Sequence, residues 1–367
     1  MMSLRRVSAF FRRSSWPFVL VFGACSLGRL WYEREAAARS DLPPPTESGA
    51  ASGSLESAAP SPSGSPSSGG PRVVPKEVKP TSAPGNDASH HETLRVCAWN
   101  VQKLGHNNGK DFPVVKRVIE DHCDVTVLTE VMQKKGAAPG YDKLRSELGD
   151  AWTGLRTLTP RPNTNSGNSE FYAIVYRKTL LELCDGWSEL VYAADGDGSV
   201  QARGPDVFVR EPAFGCFRMR RQAGEFDFLL GAFHAKAHRG AQDRERTEAE
   251  VRALQEAIES VRKLRPGEND VLIAGDFNLT PDELASVTHL AVLQKGSGST
   301  LSASGGRSAN LLDGFLLENL ALSPEVASSA EVLDVRKHAG SARTFARTVS
   351  DHLPVRLVLR VVGPDDD

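Results

Sequence analysis

The segment Phe226 to His234 is apolar at nearly every position, with Phe226, Phe228, Leu229, Leu230, Ala232 and Phe233 broken only by Asp227 and Gly231. Successive side chains of an extended chain point to opposite faces, so a strand of this composition has two faces to hide. It is predicted to lie centrally in a sheet that is covered on both sides. Leu94-Arg-Val-Cys-Ala-Trp-Asn100, Asp124-Val-Thr-Val-Leu-Thr-Glu130 and the strand starting at Val271 follow the same pattern. Glu170 to Arg177 reads as a further strand, Phe214 to Arg221 as the hairpin partner of 226–234, and Leu353 to Arg360 as a last, alternating strand.

Helical spacing fills the intervals. Val251, Leu254, Ile258, Val261 and Leu264 share one face of a helix predicted over Asp243 to Leu264, which Pro266-Gly267 stops. Val114, Val115, Val118 and Ile119 mark a second, capped by Asp111, and Tyr141 to Leu148 a third. Thr280, Pro281 and Glu283 form a capping-box signature that starts another helix just beyond the 271 strand. Strands alternating with helices place the chain in the α/β class.

The folded unit does not begin at the N-terminus. Arg5, Arg6, Arg12 and Arg13 precede an apolar run from Trp16 to Leu27, which is short for a membrane span and suits a signal-peptide core. Residues 1–32 are therefore read as a signal peptide or a membrane anchor; Gly23-Ala24-Cys25 also fits the end of a lipoprotein signal. Residues 33–92, dominated by Pro, Ser, Gly and Ala, cannot bury enough apolar surface to offset ordering and are expected to form a flexible tether. That leaves 93–361 as one domain and 362–367 as an acidic tail. The expected protein is exported, to the periplasm or the exterior, and held at a membrane by its N-terminal segment.

A net charge of −2 excludes nucleic-acid binding through bulk electrostatics, so any polyanion site must be local. Four of the five cysteines, Cys97, Cys123, Cys184 and Cys216, lie in or beside apolar stretches without metal-ligand spacing. They are expected to be small buried hydrophobes rather than disulfides, although export would permit a bridge.

The strand termini carry the chemistry. Asn100, Glu130, His234 and Asp276, with Asn278 two residues on, stand at the C-terminal ends of strands, whereas Glu170, Asp313 and the pair Asp351-His352 stand at the starts of others. If the two sets run antiparallel, all of these groups meet along one rim. Taken singly, a strand-end Asp or Asn is more often a turn former, and a lone His a packed or surface residue. Polar termini on so many apolar strands are hard to explain that way. The oxygen donors Glu130, Asp276, Asn278 and Asp351 suit a hard cation such as Mg²⁺, Mn²⁺ or Ca²⁺. His234 and His352 can titrate near neutral pH as general acid and base. Together they fit metal-assisted hydrolysis of a phosphate ester.

Trp-Asn-Val-Gln-Lys-Leu-Gly around Asn100, Leu-Thr-Glu-Val around Glu130, His234, Gly-Asp-Phe-Asn at 275–278 and Ser-Asp-His at 350–352 resemble the endonuclease/exonuclease/phosphatase superfamily over 94–360. The Glu170 strand ending in Tyr176-Arg177 and Arg210-Glu211-Pro212 are most similar to pancreatic-type deoxyribonucleases. The resemblance implies a four-layer α/β/β/α sandwich of two mixed sheets flanked by helices. It also implies that Glu130 holds the cation with Asn100, that Asp351 is a further ligand, and that Asp276 and Asn278 hold phosphate and metal. His352, oriented by Asp313, would activate water; His234, backed by Glu170, would assist the phosphate or leaving oxygen; Arg210 would contact a backbone phosphate. Met132 and Asn168 occupy positions where those enzymes place an Arg and a Tyr in the DNA minor groove, and the cysteine pair they carry before Arg210 is absent. The function expected is that of a monomeric, metal-dependent endonuclease acting on DNA. A phosphatase or phosphodiesterase of lipid or inositol phosphates is the alternative. A catalytically dead binding module fits poorly with so complete a set of polar residues.

Overall fold

The computed structural model describes residues 93–106, 109–163, 168–193, 207–220, 226–238, 240–318 and 325–361. The expected signal or anchor segment, tether and acidic tail lie outside the described residues, as do residues 194–206 of the loop before Arg210. Among the described residues no helix is long and apolar enough to cross a membrane.

Two seven-stranded sheets are present. The first contains β1 (Thr93–Leu104), β2 (Val125–Met132), β3 (Trp152–Arg156), β4 (Arg161–Asn163) and β5 (Asn168–Arg177). The second contains β6 (Leu181–Leu183), β7 (Val191–Tyr192), β8 (Ala213–Met219), β9 (Asp227–His234), β10 (Val271–Asp276), β11 (Ala291–Val292) and β12 (Asp313–Leu317). The chain then returns to the first sheet through β13 (Glu331–Val332) and β14 (Val355–Arg360). The strand orders are β13-β14-β1-β2-β5-β3, with β4 also on β5, and β11-β12-β10-β9-β8-β6, with β7 also on β8. Both sheets are mixed. β1 and β2 run parallel, as do β9 and β10, while β14, β5 and β12 are antiparallel to their neighbours.

The side-chain alternation of the strands builds the layers. Leu94, Val96 and Ala98 of β1 pack inward with Phe228, Leu230 and Leu272 of the second sheet, so a continuous apolar layer lies between the sheets. The intervening Cys97, Trp99 and Val101 face outward onto α1 (Phe112–His122), α2 (Pro139–Leu148) and, after a 3₁₀ turn at Arg336–Ala339, Phe345 of the helix Ala342–Thr348. On the far side Leu229, Phe233 and Ile273 meet α3 (Ala241–Arg252), α4 (Leu254–Arg262) and α5 (Pro281–Val287). This is the four-layer α/β/β/α sandwich. Asp111 accepts from the Val114 N–H at the start of α1, and the Glu283 carboxylate accepts from Thr280 in the capping box of α5.

Two expectations need correction. The helix expected over Asp243 to Leu264 is two helices broken at Ala253, where ψ is −8°. The break keeps Val251 and Leu254 both in the core, and Leu264 lies past the end of α4, exposed. The cysteines, expected to be free, form two disulfides, Cys97–Cys123 and Cys184–Cys216, with Cα–Cα separations of 5.8 and 5.4 Å. They are buried, as their apolar setting requires, but burial does not distinguish a thiol from a bridge. The adjacency comes from strand pairing over 26 and 32 residues of chain, which local spacing does not reveal.

Candidate active site

Strand pairing gathers the polar termini. β10 is central at this rim: its last residue Asp276 stands opposite Asp313 of β12 on one side and His234 of β9 on the other. Gly275 permits the approach, because a Cβ there would fall 1.8 Å from the Phe233 carbonyl oxygen. Only glycine lets the β9 backbone come that close.

Two histidine–carboxylate pairs flank Asp276. His234 Nδ1 lies 2.7 Å from Glu170, and its Nε2 is 3.8 Å from Asp276. His352 Nδ1 lies 2.7 Å from Asp313 and 3.8 Å from Asp276. In both, the carboxylate fixes the ring through Nδ1 and leaves Nε2 for chemistry. Burial and Arg210 disfavour a charged His234, but Glu170 and Asp276 outweigh them and raise its pKa above the ordinary histidine value. Burial also opposes charge on His352, yet Asp313, Asp276 and Asp351 raise its pKa well above the ordinary value. Asp276 is buried, which works against ionisation; the positive fields of His352 and His234, with donors from Asn100 and the Asn278 backbone, nevertheless hold its pKa low.

The first sheet, which already supplies Glu170 on β5 and His352 before β14, adds Asn100 and Glu130. Strand register shifts between Asn100 and Leu104 on β1 and between Leu128 and Val131 on β2. In these bulges Lys103 and Glu130 have φ of 53° and 56°, a left-handed conformation that costs side-chain-bearing residues energy. The irregularity turns Glu130 onto the rim, where its carboxylate accepts from the Lys103 N–H at 2.8 Å and the Asn100 amide at 3.3 Å. The same Asn100 amide donates to Asp276 at 3.0 Å, so Asn100 bridges the carboxylates of the two sheets. Its oxygen, the atom a cation would take, accepts from the Gln102 N–H. Gln102 in turn donates to Asp351 at 2.7 Å. Burial raises the Asp351 pKa, which His352 opposes and the nearby Glu130 charge supports. The donors grouped here are oxygen atoms of Glu130, Asp351 and Asn100, a set whose chemistry fits a hard divalent cation.

Asn278 turns back on itself, with φ of 51° and its N–H donated to Asp276, and its side chain donates to the Ala235 carbonyl. Arg210 departs from expectation. It is only 2 % exposed, and its guanidinium donates to the carbonyls of His234, Ala235 and Pro162 while pairing with Glu170 at 3.1 Å. Those partners hold it beneath the rim, beside Glu170 and the end of β9. Met132, at 1 % exposure, also points into the fold.

Several supporting residues carried little signal in the sequence. Ser299 donates to Asp313 at 2.6 Å from within a Gly/Ser-rich loop that reads only as a turn. The Ser350 hydroxyl donates to the Asn100 carbonyl and accepts from the His352 N–H, tying the last loop to β1. Tyr172, whose hydroxyl accepts from the His234 N–H, is i+2 from Glu170 and so shares its face of β5; that spacing is a usable signal. Glu250 on α3 is buried, with one oxygen on the Val209 N–H and the other on the Lys236 N–H.

Comparison with known proteins agrees with this geometry. Residues 97–352 match the model of the Endonuclease/Exonuclease/phosphatase family. A deoxyribonuclease of Thioalkalivibrio sp. (strain K90mix) is 30% identical over 273 residues, spanning 71% of this chain and 70% of that protein. Deoxyribonuclease-1 of Rattus norvegicus is 23% identical over 286 residues, covering 73% of this chain and 92% of the relative. The crystal structure of an endonuclease/exonuclease/phosphatase from Bacteroides vulgatus superposes with a TM-score of 0.50 at 18% identity, over 73% of this chain and 98% of that one, and shares the fold. The chain belongs to the endonuclease/exonuclease/phosphatase family.

Proposed function

We propose that the protein is a divalent-metal-dependent phosphodiesterase that cleaves DNA as an endonuclease. The observation that carries this reading is the convergence on Asp276 of two His–carboxylate pairs, each joining the two sheets, and of the Glu130–Asn100 bridge. The relatives named as deoxyribonucleases support the choice of DNA.

Glu130, with Asp351 and the Asn100 oxygen, would hold Mg²⁺ or Mn²⁺, or Ca²⁺. When bound, the cation supplies Lewis-acid stabilisation of charge on the phosphate oxygens. His352, held by Asp313, and His234, held by Glu170, form the acid–base couple: the ring that is neutral takes a proton from the attacking water at Nε2, and the charged one donates from Nε2 to the leaving oxygen. Asp276 stands between the two rings, and Asn278 faces the phosphate from the turn beyond it. General acid–base groups of this kind contribute roughly 10²–10⁴-fold each. Removing either imidazole is expected to lower kcat by that order.

Incubation of the purified full chain with supercoiled plasmid and Mg²⁺ or Mn²⁺ tests the proposal. Nicking should occur, stop with chelator and fall roughly 10²–10⁴-fold in His352→Ala. Nicking that persists in that variant would sink the site assignment. No nicking, with phosphate release from a lipid or inositol phosphate instead, would move the substrate to the alternative class.

Two disulfides suit an oxidising compartment and support export to the periplasm or exterior. We further propose that the N-terminal segment attaches the protein to a membrane, through lipid on Cys25 or as an uncut anchor. Cys25→Ser should release the protein if the lipid is the attachment; membrane association that survives the substitution would rule the lipid out.

A further inference from the structure

A pair of histidines meets at the end of β2 opposite Glu130, on the outer helical layer. His122 is the last residue of α1, and His338 lies in the 3₁₀ turn at Arg336–Ala339. Their rings approach edge to face, with centroids 5.7 Å apart and 84° between planes. The Nε2 atom of each ring is buried from solvent, and among the described residues neither has a hydrogen-bond partner. A buried imidazole nitrogen without a partner is costly. Here two of them stand on different elements, their rings in edge contact. Asp121 supplies a carboxylate beside them, and one ligand atom from each of the three lies within 4.8 Å of the others.

We propose that Asp121, His122 and His338 bind a borderline transition-metal ion, Zn²⁺ being the natural occupant. Two imidazole nitrogens and one carboxylate oxygen suit Zn²⁺, with water completing a four-coordinate shell. The donor set differs in kind from the oxygen-only group at Glu130, so the two sites select different ions. Asp121 is exposed, so its carboxylate is open to solvent on one side of the group. The cations facing the pair are already engaged: Arg95 binds Asp124 and the Asp121 carbonyl, and Arg356 binds Glu331.

The full chain, stripped with chelator and dialysed, is titrated with Zn²⁺ while its melting temperature is followed, and with Co²⁺ as a visible-absorption probe. One equivalent of Zn²⁺ should raise the melting temperature on the order of 5 °C. The rise and the Co²⁺ spectrum should disappear in His338→Ala and survive in Glu130→Gln, and His338→Ala should nick plasmid in Mg²⁺ as the parent does. His122→Gln provides the same test if His338→Ala does not fold. No Zn²⁺-dependent rise, a rise unchanged in the histidine variants, or a rise lost in Glu130→Gln would overturn the proposal. The first of these outcomes would assign the two nitrogens to a bridging water, and the last would place the Zn²⁺ at the nuclease site.

Discussion

Gly275 and Phe233 are in such close register that a single added carbon on Gly275 would sit 1.8 Å from the Phe233 carbonyl oxygen. That contact is between backbones, so no side-chain rotation can relieve it. Gly275→Ala must push β10 away from β9, and with it Asp276 away from His234. The variant is expected to lose at least about 2 kcal/mol of stability and most of its activity. Chemical denaturation beside a plasmid-nicking assay checks both; a variant of wild-type stability and rate would show that the strands do not need this spacing.

Arg210 offers a sharper discrimination, because its two possible roles predict different salt behaviour. A phosphate contact, once removed, lowers the salt dependence of DNA binding by about one unit of slope. A buried partner of Glu170 does not touch that slope; its removal breaks a buried ion pair, at a cost of about 3–5 kcal/mol. With Arg210 only 2 % exposed and bonded to three carbonyls, Arg210→Met is expected to lose stability and leave the slope unchanged. Binding measured across salt concentrations, beside a denaturant melt, separates the two.

The sequence made the rim visible because apolar strands with polar ends are a local signal. His234, Asp276 and Glu170 could be found that way; His234 and Asp276 meet because β9 and β10 pair in parallel, and Glu170 reaches His234 from β5 of the facing sheet. What stayed hidden depends on pairing across long stretches of chain. The Cys97–Cys123 bridge and the Ser299 donor to Asp313 exist only once strands have been placed, and nothing in the residues beside them announces it. Arg210 shows the converse. Its motif is readable, but whether an arginine faces a ligand or the protein is decided by burial, which the motif does not encode.

Each disulfide closes a loop of the unfolded chain, 26 residues for Cys97–Cys123 and 32 for Cys184–Cys216. Loop-closure entropy for these lengths gives roughly 3–4 kcal/mol per bridge. Reduction should therefore lower the melting temperature markedly, and Cys97→Ser/Cys123→Ser should reproduce about half of the loss. Melting with and without reductant, with non-reducing peptide mapping, provides the check; free thiols in the oxidised protein would contradict the pairing.

Asp124 links stability to acid. Burial pushes its carboxyl up, but hydrogen bonds and charge from Arg95, with Arg177, hold the pKa below the ordinary carboxylate value. A group whose folded pKa is depressed gives its full stabilisation above the unfolded pKa of about 3.9 and loses it as pH falls through the folded value. Asp124→Asn should thus be less stable than wild type at pH 7, with the gap closing below about pH 4. Denaturant melts from pH 7 to pH 3 measure it, and a gap independent of pH would assign the loss to packing rather than charge.

Glu250 holds two site segments at once, one oxygen on the Val209 N–H at 2.7 Å and the other on the Lys236 N–H at 2.6 Å. The first precedes Arg210, and the second follows His234 by two residues. Glu250→Gln keeps one acceptor and replaces the other with a donor, so one buried N–H loses its partner at a cost of about 1–3 kcal/mol. Because the freed segment carries His234, kcat should fall while KM stays near its original value. A loss of stability without that split would make Glu250 a purely structural clamp, whereas the split, with partial recovery in Glu250→Asp, would tie it to the positioning of the imidazole.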